Sequence, residues 1–455
     1  MKQLRHVLLS GLAAVLLATG CHGIPTAGEQ SARRDLDAVT RQYHPAGDAA
    51  RIQPALTADA GMSNFLACAL LNSPTVAAAY QDWAAAVARI TVERSLPDPQ
   101  LTFSAYLEDD LTSLMPGLML NLPGPAKLST AARVATAESR SQYFAFESAL
   151  LQAAFAFKSA YYNLYFLDER LRINRQTLAL LNHLEAAARA QNEVGRGTLQ
   201  DVYRAQIERD RLAAAITNLE DSRRPLFAQF KAALGVTRDQ PDPPVPAKFE
   251  ATPLDLPADD LLATAFARNP QLKAAAAEVR LAEESIGQAR QSQAPDFTAG
   301  LQAEVYRPPF YWPQASMTLP IWRDKIAAAR AGQRAAAARL TAAQIRLTVD
   351  FAARTYDYRE STRNLALLEK QLLPKARQSL EIARAGYLSG RGDFFNLLDA
   401  ERTWLNFQIE DVQERSRREI TLAELSLTIA GLPPPGAPAI AVSFDGSTPN
   451  PLPQP

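Results

Sequence analysis

Tyr143, Leu150, Phe157, Leu164, Leu171 and Leu178 recur every seven residues within a stretch that carries no helix breaker from Ala126 to about Asn192. A seven-residue apolar repeat held over several turns is the pattern of coiled-coil packing, and it also suits the core side of a helical bundle. At 1.5 Å per residue the helix would be roughly 100 Å long, far beyond an ordinary globular helix, which favours an extended coiled structure. The pattern stops at Val194-Gly-Arg-Gly-Thr-Leu-Gln-Asp-Val202 and a helical pattern then resumes to about Leu234. A related stretch, Ser389-Gly-Arg-Gly-Asp-Phe-Phe-Asn-Leu397, interrupts a second long pattern that runs from about Asp324 to Tyr387 and returns to about Ala430. Gly195, Arg196 and Gly197, and again Gly390, Arg391 and Gly392, are therefore read as the tips of two helical hairpins, since glycine accepts the positive φ of a tight reversal. The tips lie about 195 residues apart, the spacing an internal duplication leaves.

The same order precedes each long helix. Asn72-Ser-Pro74 opens an alanine-rich amphipathic helix that Leu96-Pro-Asp-Pro99 stops, and Asn269-Pro270 opens one that ends at Ala294-Pro-Asp296. Strands are expected at 100–107 and 116–122, with a loop from Glu108, and at 296–306 and 313–320 around the turn Arg307-Pro-Pro309. The alternation of Leu101, Phe103, Ala105 and Leu107 with Thr102, Ser104 and Tyr106 suits a wall with one wet face. Pro374 lies inside the second long helix and should kink or break it. The organisation read from this is a first repeat over 61–235 (tip 194–197), a Pro- and Asp-rich connector over 236–258, a second repeat over 259–432 (tip 389–392) and a Pro-rich tail over 433–455. The fold class is mainly α with a small β part. Four strands cannot close a barrel, and open edges are not tolerated in lipid, so strands that span a membrane would require several copies. An ordinary hairpin on a soluble body is the alternative.

Lys2 and Arg5 precede the apolar run Val7 to Ala18, which ends in Thr19-Gly-Cys21. A basic start, a short apolar run and a small-residue end make a secretory signal over 1–20. The run is too short to span a bilayer comfortably. Leu17-Ala-Thr-Gly-Cys21 also resembles the bacterial lipoprotein signal, which would make Cys21 a lipidated mature N-terminus; Ala18 departs from the usual leucine, and simple cleavage nearby is the alternative. Residues 21–60 are expected to be irregular or to wrap the body. Acidic and basic residues balance at 48 each, so no bulk charge points to nucleic acid. With two cysteines, Cys21 and Cys68, there is no disulfide framework or paired-cysteine zinc motif. His6, His22, His44 and His183 are scattered. No phosphate-binding loop, His-Glu-x-x-His or serine elbow occurs, so no catalytic residue, cofactor or metal site is assigned. Met115, Met119 and Met317 fall in or beside the strands, where packing competes with binding of soft metal ions.

Helix, strand, strand, long helix, tip and return helix, twice over and behind a secretory signal, resembles the outer-membrane efflux channels of the TolC type, over about residues 60 to 432. Gly195 with Asp201 six positions on is similar to that family's first tip, and Tyr387 through Leu397-Leu-Asp-Ala400 resembles its second. The resemblance implies a homotrimer whose strands form one outer-membrane β-barrel and whose helices form a periplasmic tunnel. It implies a periplasmic adaptor (membrane fusion) protein docking on the tips and an inner-membrane pump, proton-driven, as partners. The function it implies is passive export of metal cations or drugs. It further implies a gate in which Asp201 pairs with Tyr387 and Arg391. The family's second-tip arginine aligns with Gly392, and its carboxylate pair is here Asn396 and Asp399, so one charge is missing. Asp201 and Asp399 as ordinary helix-start or surface acids is the alternative. A second function class is a structural envelope lipoprotein, a coiled-coil spacer across the periplasm; paired strands argue against it, and an adaptor role is disfavoured because no compact β-rich domain separates the helices.

Overall fold

In a computed structural model of the chain, residues 25–43, 56–57, 59–107, 111–237, 240–246, 258–304, 310–320 and 324–429 are described. The signal segment, Cys21, the loop at 108–110, residues 305–306, the Arg307-Pro-Pro309 turn and the 433–455 tail lie outside the described residues. The helices are α1 (Ala27–Gln42), α2 (Met62–Asn72), α3 (Pro74–Arg94), α4 (Lys127–Glu193), α5 (Leu199–Ala233), α6 (Ala258–Arg268), α7 (Pro270–Gln291), α8 (Asp324–Leu367), α9 (Leu373–Leu388) and α10 (Phe394–Ile429). The strands are β1 (Gln100–Leu107), β2 (Leu111–Leu122), β3 (Asp296–Glu304) and β4 (Phe310–Thr318). Two compact units result, one drawn from residues 1–44, 78–148 and 270–345, the other from 45–77, 149–269 and 346–455.

The first unit holds the sheet and α1. Residues 21–60 were expected to be irregular, and α1 corrects that expectation. Thr26 caps the helix, its Oγ1 accepting from Glu29 N at 3.2 Å. Glu29 is wholly buried and accepts from Arg94 Nε at 2.6 Å, Thr91 Oγ1 at 2.9 Å and Arg33 Nε at 3.1 Å. Burial alone would raise this carboxyl, and the three donors together hold it below the ordinary carboxylate range. Tyr43, Tyr80, Trp83, Tyr143 and Phe146 form an aromatic core with ring separations of 5.0 to 6.3 Å. The polar residues around Glu29 hid this helix from hydrophobic periodicity.

The sheet is antiparallel in the order β1-β2-β3-β4. Strand β2 starts at Leu111, earlier than expected, because residues 111–115 pair with β1. Register pairs Leu101 with Leu118, Leu118 with Leu301, Leu122 with Phe297 and Phe297 with Met317. Directly paired residues share a face, so these side chains, with Phe103, Leu120, Ala299 and Tyr311, make one apolar face. That face is bare: Leu101 is 65% exposed and Phe103 67%. The opposite face carries a ladder of hydrogen bonds, Gln302 Nε2 to Ser104 Oγ at 3.1 Å and Gln314 Nε2 to Gln302 Oε1 at 2.5 Å, with Thr298 against Ser316 beside it. Met115 and Met119 fall on the ladder face and Met317 on the apolar face, so the three methionines do not converge. Asp296 ties the strands to α4 by accepting from Gly124 N and Lys127 Nζ, each at 2.8 Å. Among the described residues no helix is long and apolar enough to cross a membrane.

The second unit holds both hairpins. The seven-residue repeat of α4 lies along its core: Phe157, Leu164 and Leu171 are buried, and Leu178, partly buried, packs against the cluster that holds Leu171. Phe65 of α2 meets Phe157 and Phe230 at 6.4 Å, which secures a helix that the sequence reading missed along with α6. Pro374 is accommodated by a π-helical turn at Leu368–Leu372, which absorbs the missing N–H and the ring without ending the rod. Pro225 sits inside α5, which continues through it.

The bare apolar face generates a prediction. Phe103→Lys should cost about 2–4 kcal/mol if the face lies in lipid, read as loss of the membrane-inserted form from detergent extracts. Normal assembly of this variant would refute lipid contact at Phe103.

Candidate gate at the hairpin tips

Each long helix ends where one carbonyl takes two backbone donors from beyond the turn. In the first tip Arg196 N and Gly197 N donate to Gln191 O at 2.8 and 3.0 Å. In the second, Arg391 N and Gly392 N donate to Gly386 O at 3.0 and 2.9 Å. The reversal needs a left-handed residue, supplied by Gly195 at φ 72° and Gly390 at φ 74°. The two turns are copies of one another.

The return helices start differently. Thr198 caps α5 in a reciprocal box, its Oγ1 accepting from Asp201 N at 3.2 Å while Asp201 Oδ2 accepts from Thr198 N at 3.1 Å. In the second tip Asp393 takes the cap position, its Oδ1 accepting from Phe395 N at 3.3 Å, and Asn396 stands where the first tip has Asp201.

Beneath the turns the hairpins share one apolar cluster. Leu181, Leu184 and Ala188 of α4 and Val202, Ala205 and Leu212 of α5 pack with Tyr387 of α9 and Phe394, Leu397 and Leu398 of α10. The Tyr387 ring lies 5.1 Å from that of Phe394. Full burial of each large apolar side chain contributes about 1.5–3 kcal/mol, so this cluster dominates the tip energetics. At its edge Arg204 of α5 sits over the Phe395 ring at 5.6 Å, and Arg402 of α10 pairs with Glu208 of α5.

The expected gate residues separate into two groups. Tyr387 is buried, and its hydroxyl has no hydrogen-bond partner among the described residues; burial first, and then the negative charge of Asp201, raise its pKa. Asn396 and Asp399 are both exposed, three residues apart on α10, and Arg391 is exposed with its Nε 3.4 Å from Ser389 Oγ. No hydrogen bond or ion pair joins Asp201 to Tyr387 or Arg391 among the described residues; Asp201 is engaged in capping its own helix. Glu401, Glu208 and Arg402 escaped the sequence reading. The signal was present in the run Phe394, Leu397, Leu398, Glu401 and Leu405, which sets a carboxylate on an apolar helix face. His183 stands on α4 with no role in this cluster.

The class of fold is a duplicated pair of long helical hairpins with a four-stranded antiparallel sheet. Residues 261–431 match the family model described as outer membrane efflux protein. No curated protein sequence matches the chain. A membrane protein from Pseudomonas aeruginosa is similar at a TM-score of 0.71 and 19% identity, over 86% of this chain and 96% of that one. The CmeC outer membrane channel of Campylobacter jejuni reaches 0.70 at 13% identity, over 86% and 91%. The MtrE outer membrane channel of Neisseria gonorrhoeae, in its open state, reaches 0.67 at 16% identity, over 85% and 97%. The chain as a whole thus shares the fold of these membrane-protein structures. Members of the matched family are passive conduits rather than enzymes.

The turn geometry predicts unequal glycine variants. A Cβ on Gly390 meets nothing within 4 Å, so Gly390→Ala bears only the left-handed penalty of about 1–2 kcal/mol. A Cβ on Gly392 would stand 2.9 Å from Gly386 C and Tyr387 N, both backbone atoms that cannot step aside. Gly392→Ala should therefore expose Tyr387 and Phe394, seen as faster amide exchange over 386–397 than in Gly390→Ala. Equal exchange in the two variants would contradict the turn geometry.

Proposed function

We propose that the chain is the outer-membrane channel of a tripartite efflux system, working as a homotrimer. An adaptor protein docks on the tips, and a proton-driven inner-membrane pump delivers metal cations or drugs. The observation that carries this reading is the sheet, with one bare apolar face, one polar face and strands of 8 to 12 residues. Strands of about 9–11 residues cross a bilayer when tilted. In the four-strand order, β1 and β4 are the edges. Lipid demands that such edges be closed, and three copies would give about twelve strands, within the range of membrane barrels. The hairpins support the same assembly. Leu199, Tyr203 and Ile207 form an exposed stripe on α5, 53%, 55% and 50% bare. Phe394 and Leu398, at the places of Leu199 and Tyr203 in the second repeat, are buried against the first hairpin. A neighbouring copy would cover the stripe as α10 is covered within one chain.

Purified protein in planar bilayers should conduct, and a coiled-coil spacer would not. In the gate, Asp201, Tyr387 and Arg391 would link neighbouring tips, while Asp399, one per copy, would form a ring that favours cations. Because Asp201 also caps α5, the discriminating variant is Asp201→Asn, which keeps an acceptor and removes the charge. Combined with Arg391→Ala it should raise resting conductance several-fold, whereas Asp399→Ala should shift the reversal potential in a salt gradient toward non-selectivity. Wild-type conductance and selectivity in both would eliminate this gate.

The anchor is a lipidated Cys21 exposed by removal of residues 1–20. Mass spectrometry of the mature protein should find an acylated Cys21, lost in Cys21→Ala, with barrel assembly retained. An unmodified mature N-terminus in the native protein would end the lipoprotein reading.

A further inference from the structure

Two turns below the second tip, Glu401 occupies the apolar side of α10 on the line of Phe394, Leu397 and Leu398. It is 2% exposed, and its Oε1 has no hydrogen-bond partner among the described residues. The internal repeat shows what is unusual about this position. Its counterpart in the first hairpin, 195 residues earlier, is Gln206, whose Nε2 donates to Glu185 at 3.0 Å. Glu185 is itself buried and held by Arg209 at 2.5 Å and Arg189 at 3.0 Å. In the second hairpin Leu380 replaces Glu185 and Trp404 replaces Arg209. Arg384 keeps the place of Arg189, but the side chain that would correspond to Glu185, the partner of Gln206, is gone, and Leu380 packs on the apolar cluster instead.

The charges acting on Glu401 come from two helices. Glu208 of α5, on the other hairpin, repels its ionised form, and Arg402 of its own helix attracts it. Arg402, however, is engaged with Glu208. No charge of α4 or α9 acts on it among the described residues, and the α4 acid Glu185 is taken up by its own arginines.

We propose that Glu401 is a proton-operated switch on the junction between the two hairpins: protonated, it lets them pack and keeps the tips closed; ionised, it drives them apart. The chemistry is a single proton exchanged with solvent, from a carboxylic acid in an apolar seam to a carboxylate that must draw in water or separate from Glu208. Burial, then the charge of Glu208, lifts the group to about 7, against the pull of Arg402. The sign follows from linkage. A carboxyl raised in the packed form leaves that form most stable below the ordinary carboxylate range, and packing weakens as pH climbs through the interval up to about 7.

This inference rests on the channel reading for its consequence and not for its titration, so the test has two arms. In planar bilayers the open fraction of the full chain should rise with pH, across the interval from the ordinary carboxylate range up to about 7. Glu401→Gln should hold it low and flat, and Glu208→Gln, which removes the repelling charge and frees Arg402, should move the midpoint to lower pH. In the second arm, amide protection over 199–212 and 394–405, corrected for intrinsic exchange, should fall several-fold across the same interval in the wild type and not in Glu401→Gln. A wild-type pH profile that survives Glu401→Gln in the exchange arm would overturn the switch. A silent bilayer with the expected exchange profile would overturn the channel reading and leave the switch standing.

Discussion

The tips depend on the burial of one apolar seam shared by two hairpins. A helix of 67 residues cannot hold its course through propensity alone, because nothing local prevents it from bending or fraying. What fixes its far end is that Leu181, Leu184 and Ala188 meet residues of α5, α9 and α10 in a single cluster. The turns can then be short and exposed, since the seam, not the turn, supplies the energy that holds them. The glycines only make the reversal sterically possible.

That division of labour leaves the polar residues of the tips free to act. Asp201, Asn396, Asp399 and Arg391 are wholly or partly accessible, whereas Tyr387 is packed into the seam with an unpartnered hydroxyl. The seam itself is not uniformly apolar. Glu185 is neutralised by Arg189 and Arg209 and accepts a hydrogen bond from Gln206, so its burial is tolerated. Glu401 lies in the same kind of position without them. A duplicated structure thus holds a satisfied polar cluster in one repeat and, among the described residues, a buried carboxyl with an unpartnered oxygen in the other, and asymmetry of that kind separates a structural device from a responsive one.

The sheet works under a different constraint. Its two faces are set by the strict alternation of side chains along each strand, so a slip of one residue would place Ser104, Gln302 and Gln314 among Leu101, Phe103 and Leu301. The ladder of hydrogen bonds on the polar face and the leucines and phenylalanines on the other therefore specify the same register twice. Asp296, bonded to Gly124 and Lys127, carries that register into the base of α4.

Much of this was legible in the sequence. The seven-residue repeat, the paired Gly-Arg-Gly turns and the proline punctuation around the strands are local signals, and local stereochemistry acts on them wherever the chain goes. Alternation from Leu101 to Ser104 shows that the strand has two unlike faces, but the register that sets Leu101, Leu118 and Leu301 side by side is what gives the sheet one apolar face. The tertiary structure decided what depends on distant residues. Helix α1 exists because Arg94 and Thr91 complete the hydrogen bonding of Glu29, and no window of sequence around Ala27 contains them. That Asp201 caps its own helix through Thr198 is seen only in the geometry of the turn. Glu401 looked like one charge among many on a long helix; only the packing of the second hairpin against the first removed it from water and set Glu208 where its charge is felt. Periodicity tells which side of a helix is apolar, but the dielectric around a single carboxyl is a property of everything packed against it.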